Sequence, residues 1–346
     1  PGALIDVSGT QDTLSQVAAG GLGNVYRTLL VGSSGGTLSL SARDGMFLDG
    51  AYLAGAGTGA TDGVFSLRFN DNYGWNLEGA QQEEHPELLE ARRLTLYQST
   101  DGHTELWPEG LSESVYLAGQ ANIDSVAYNG QVRLDLTTLA EGGFGSWYLQ
   151  SLGEIGFEGA IDVTVKNQLR LDSPNFVARS DATNVQLSAA AIQIGNFGAQ
   201  TKGGNWVFAD PALGAGHFTA TARDIGLTGN FAWSGFGETT LASRGEIHLD
   251  SVAYSGLLDS GATGNVFNGG LRGTGDLTLA AARVSPSTYS DFIVDLSSDP
   301  SATLRIGHAE GEEALGPQLS AGGKLEFKAA NIEHSGLISA PLGQVL

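Results

Sequence analysis

The chain has no cysteine in 346 residues, one methionine, nine prolines, and charge on only 16% of its positions. Without thiols there is no disulfide framework and no thiolate metal site, so bridges say nothing about the redox compartment. No apolar run approaches the roughly 20 residues of a membrane-spanning helix. Basic residues are scarce as well: 17 against 38 acidic ones leave a formal charge of -21, which repels nucleic-acid backbones and anionic lipid heads. The chain is therefore expected to bind no nucleic acid and to insert in no membrane. It opens on Pro1 without a charged-then-apolar leader, which suggests a piece of a longer precursor.

What the chain has in abundance is glycine, 51 residues, set between short alternating runs. TLSLSA (37 to 42), VFSLRF (64 to 69), QVRLDL (131 to 136), AIDVTV (160 to 165), NVQLSA (184 to 189), DLTLAA (276 to 281) and KLEFKA (324 to 329) each have the period of two of a strand with one buried face. Gly, Asn, Asp and Ser bound them. The expected class is all-β.

The stretch GFGSWYLQSLGEIGFE at 143 to 158 returns as GFGETTLASRGEIHLD at 235 to 250, identical at eight of sixteen positions with an offset of 92 residues. An internal repeat without a nucleophile or metal cluster is the mark of stacked units. An interval of 92 divides into about four coils of roughly 23 residues, a usual solenoid repeat. A single continuous parallel β-helix over residues 1 to 346 is expected, of about 15 coils and some 70 Å at about 4.8 Å per strand. In that reading Gly143 and Gly235 begin equivalent corners. Phe144, Gly145, Gly153 and Ile155 match Phe236, Gly237, Gly245 and Ile247, Leu149 and Leu241 point inward, and Glu154 and Glu246 face outward. Propeller signatures are missing, and uncapped ends would leave strand edges open.

Residues 70 to 116 break the pattern with clustered charge, two of the five Trp and two of the six His. Pro86 and the run at 87 to 94 suit a short helix. The segment is expected to be an inserted loop or subdomain. Trp75, Tyr97, Trp107 and Tyr116, with His103 and Glu105, are the candidate ligand-binding residues, because flat aromatic faces beside polar groups suit a sugar or a protein partner. The competing and preferred reading folds the segment back on the shaft and buries those aromatics. Trp147, Trp206 and Trp233, close to strand phrases, are read as packing residues.

Catalysis finds little to stand on. A glycosidase needs two carboxylates about 5 to 10 Å apart, and the chain has no Asp-Asp pair; Asp295 and Asp299 read as turn residues. No His-x-x-x-His spacing, calcium loop or phosphate loop with its Lys occurs, and no serine sits in a Gly-x-Ser-x-Gly elbow with a plausible His partner. No catalytic residue, metal or cofactor is expected.

The phrases GGTLSLSARDGMFLDGAYLAGAG (35 to 57), ARDIGLTGNFAWSGFGETTLASRGEIHLD (222 to 250), TGDLTLAAARVSPSTYSDFIV (274 to 294) and SGLISAPLGQVL (335 to 346) resemble the filamentous haemagglutinin family of large bacterial exoproteins. That resemblance implies a right-handed parallel β-helix from the central shaft, secreted or exposed on the bacterial surface by two-partner secretion. It also implies an outer-membrane pore as the export partner, and roles in adhesion, biofilm, virulence or contact with other cells through a surface glycan or protein. The family's export domain and terminal toxin have no counterpart in these phrases. Alternatives are a polysaccharide lyase or hydrolase on the same fold, and a filament-forming structural protein.

Overall fold

The computed structural model describes residues 3–20, 23–42, 45–46, 48, 50–69, 92–99, 130–197, 210–257 and 263–346. Over these the chain is all-β, with one short helix, Leu136–Glu141, capped by the Asp135 side chain. Two long parallel sheets dominate.

Sheet one holds ten strands whose order in space is their order in the chain. They are Thr37–Ala42, Gly63–Phe69, Phe144–Ser151, Ala160–Asp172, Asn184–Gly195, Gly216–Thr228, Phe236–Asp250, Asp276–Pro286, Thr303–Gly307 and Asn331–His334. Sheet two has eleven, mostly drawn from the segments between them, such as Glu154–Glu158, Asn175–Ala178, Asn230–Ser234 and Asp291–Asp295; ten pair in parallel and Val252–Leu257 pairs antiparallel with Thr263–Gly273. One strand is out of sequence: Gln131–Asp135 sits between Gly45–Met46 and Arg93–Tyr97.

Alternation makes the strands and register makes the core. In Ala160–Asp172, Ile161, Val163 and Val165 are buried while Asp162, Thr164 and Lys166 are exposed, so one face packs and the other meets water. Parallel pairing then aligns Val163, Leu187, Ala220, Leu241, Leu279 and Ile306 in one buried column. Leu67, Leu149, Leu171, Ile194, Leu227 and Leu249 form another. Each large side chain buried in such a column contributes about 1.5 to 3 kcal/mol. The sheets meet through aromatic rings: Phe218 of sheet one stands edge-on to Trp233 and Phe157 of sheet two, with centroids at 4.7 and 5.5 Å. Trp233 and Trp147 are packing residues, their indole N–H groups donating to Thr239 Oγ1 (2.8 Å) and the Phe144 carbonyl (3.0 Å). Trp206 lies outside the described residues.

Column neighbours commonly follow one another by 21 to 24 positions, as from Leu149 to Leu171, on to Ile194, and from Val163 to Leu187, in line with the expected coil of roughly 23. Elsewhere the interval stretches to 82, from Leu67 to Leu149. Among the described residues sheet one has ten strand positions, where the expected shaft has about 15 coils. Part of the expected excursion belongs to the sheets: Arg93–Tyr97 is a strand between Glu154–Glu158 and Gln131–Asp135. Leu94 is thus a buried strand residue and not the end of a helix.

The repeated motif also departs from expectation. Gly143 (φ 75°) and Gly235 (φ 79°) do occupy equivalent left-handed corners, and Leu149 and Leu241 do point inward. Yet Leu149 and Leu241 lie in different columns. Ile155 pairs in sheet two with Phe176, whereas Ile247 continues in sheet one beside Val284. Glu246 shares the outer face with His248 but is not exposed there: it is buried against Arg283, whose guanidinium donates two hydrogen bonds of 2.8 Å to its carboxylate. Glu154 is half-buried and pairs with Arg179.

Near the start of the chain, Gln11–Gly20 and Gly23–Gly32 form a separate antiparallel pair. At the other end, the strand Asn331–His334 is exposed at every residue.

Candidate functional site

Outward residues of sheet one should be solvated, yet some are large, polar and bonded to one another across strands, as Arg305 is to Asp276 and Glu333. A larger such cluster spans three neighbouring strands. Gly63–Phe69, Phe144–Ser151 and Ala160–Asp172 turn Ser66 and Arg68, Tyr148 and Gln150, and Arg170 and Asp172 to the same side, because register pairs Ser66 with Tyr148 with Arg170, and Arg68 with Gln150 with Asp172. The result is a two-by-three array, spaced about 4.8 Å across the strands and about 6.7 Å along them. It lines a groove with a volume of about 230 Å³.

The array is held by its own hydrogen bonds. Arg68 Nε donates to Gln150 Oε1 (3.0 Å), Gln150 Nε2 to Asp172 Oδ2 (2.8 Å) and Arg170 Nη2 to the same oxygen (3.1 Å). The Phe197 N–H donates to Asp172 Oδ1 (2.9 Å), and Tyr148 Oη donates to Gln168 Oε1 (3.0 Å). Arg170 lies over the Phe197 ring, 3.9 Å from its centroid, a cation–π contact that fixes the guanidinium plane. Burial pushes the Asp172 carboxyl above the ordinary 3.8, against the opposing pull of the Phe197, Arg170 and Gln150 donors. Among the described residues Asp172 is the one carboxylate lining the groove, so these lining residues alone do not supply the two carboxylates of glycoside hydrolysis. They offer planar donors, acceptors and an aromatic ring, which is recognition chemistry.

The expected ligand-binding residues Trp75, His103, Glu105, Trp107 and Tyr116 lie outside the described residues. Tyr97 is buried in sheet two, its ring covered by Arg133 at 5.1 Å; Arg133 in turn forks onto Glu158 with bonds of 2.8 and 2.9 Å. That bidentate pair holds Glu158 below its ordinary pKa. Tyr97 is thus a packing residue, the other reading of that segment. Asp295 and Asp299 are turn residues, each accepting from the backbone N–H and hydroxyl of the serine two positions on. Among the described residues no group of three or more His, Asp or Glu side chains is placed to hold a metal ion.

Sequence reasoning missed the groove because its six residues come from phrases up to 106 positions apart. The available signal was large polar residues at the outward positions of YLQ and RLD. Comparison with protein-family models, curated proteins and solved structures finds no match.

Proposed function

We propose that this chain is a shaft segment of a secreted or surface-exposed bacterial exoprotein of the filamentous haemagglutinin kind. In this reading the two sheets are sides of one right-handed parallel β-helix, and the outer face of sheet one is an adhesive surface. The observation that carries the proposal is connectivity. Sheet-one strands follow one another in chain order and in parallel, while most links between them run through sheet two. Parallel neighbours need a crossover, and such crossovers are right-handed in about 98% of cases. Repeating one crossover, here made by a strand, winds a solenoid. The groove gives that shaft something to do beyond spacing.

A crystal structure of the chain tests the architecture: one right-handed turn should advance each strand position, and an open pair of sheets without a consistent winding would overturn it. Beads coated with the chain should be retained under flow on a cell layer more than albumin-coated beads. Equal retention removes the adhesive part and leaves the shaft.

A further inference from the structure

The groove has an unusual charge for this molecule. A chain with a formal charge of -21 places two guanidinium groups, Arg68 and Arg170, at opposite corners of an array holding a single carboxylate. Arg68 uses only its Nε within the array, so both of its terminal amino groups have no partner among the described residues. Among the described residues Arg170 bonds through Nη2 alone, and Phe197 keeps its plane fixed. Guanidinium forks of this kind match carboxylates in two-point contact.

The rest of the array asks for hydroxyl groups. Asp172 Oδ1 accepts one backbone N–H and retains acceptor capacity. A ligand made only of anions would be repelled there, whereas a hydroxyl donates to Asp172 while a neighbouring carboxylate reaches an arginine. The half-buried Tyr148 ring adds a flat apolar face on the strand between those that carry the two arginines.

We infer that this groove binds an acidic oligosaccharide, a sugar chain carrying carboxylate groups, with Arg68 and Arg170 reading the carboxylates and Asp172 and Gln150 reading the hydroxyls. This rests on the reading of the outer face as an adhesive surface, and it names the ligand class and the residues.

Calorimetric titration of the full chain with a galacturonic acid tetramer, its methyl ester, a neutral galactose tetramer and tetraglutamate tests it. The acid tetramer should bind, and the methyl ester, the galactose tetramer and tetraglutamate should each bind at least about tenfold more weakly. Arg68→Gln, at an exposed position, should weaken the acid tetramer about tenfold with the circular-dichroism spectrum unchanged; Arg170→Gln should do the same. No binding of the acid tetramer, equal binding of its methyl ester, binding of tetraglutamate as tight as the sugar, or undiminished binding by Arg68→Gln would each overturn the inference. If the coated beads still adhere under flow, that failure leaves the adhesive shaft standing.

Discussion

The strands that begin at Phe144 and at Phe236 share their opening Gly-Phe-Gly and the later Ser-x-Gly-Glu-Ile, yet they deliver that second phrase to different sheets. Locally the two copies behave alike. Ser151 Oγ donates to the Arg92 carbonyl at 2.8 Å, and Ser243 Oγ to the Arg223 carbonyl at 2.6 Å, so each serine ties its bend to an arginine of the preceding pass. The bend at Gly153 leads into sheet two; the bend at Gly245 is a register slip inside sheet one. A short phrase thus specifies a bend, and the neighbouring strands decide which side it turns between. The consequence for the two glutamates is large: Glu246 faces a buried arginine, Glu154 a more exposed one.

Three measurements break or sharpen that comparison. Glu246→Ala leaves Arg283, with 12% of its side chain exposed, without its carboxylate, and should destabilise the chain by about 3 kcal/mol in urea unfolding. Glu154→Ala should cost about 1 kcal/mol, since that pair is better solvated. The opposite ranking would mean that the two copies are not packed as described.

Corner equivalence predicts matched effects next. Gly143→Ala and Gly235→Ala each put a side chain at positive φ and bring a Cβ to 2.9 Å from neighbouring backbone, Gly55 in one case and Ala178 in the other. Each should cost about 1 to 2 kcal/mol. A difference between them of more than about 1 kcal/mol would break the equivalence.

The smallest effect is on titration. Burial works to raise the Glu246 carboxyl, but hydrogen bonds from Arg283 and Ser285 outweigh it and hold the group below the ordinary 4.5. Its stabilising contribution is present above that ordinary value and lost as pH falls through the depressed folded one. Asp172, raised above 3.8, has the opposite sign: its cost to folding is present at neutral pH and is relieved as pH falls through its folded value. Carboxyl carbon NMR should therefore place the Asp172 midpoint above 3.8 and the Glu246 midpoint below 4.5. Midpoints displaced in the reverse directions would refute both environments.

By itself the sequence determined that the chain is all-β, where many of its strands lie, which of their residues face inward, and that a corner stands at Gly143 and at Gly235. Those follow from local causes: a period of two, and a backbone angle only glycine adopts without strain. Tertiary structure alone decided the rest. Strand Arg93–Tyr97 sits inside the segment that reads as an excursion, because its alternation is short and its charged flanks mask it, while its partners are 38 and 61 positions away. Burial of Glu246 and assembly of the groove likewise depend on parallel register, and register is a relation between distant segments. A period of two says which residues share a face; it does not say which faces stack to put Arg68 beside Gln150 beside Asp172.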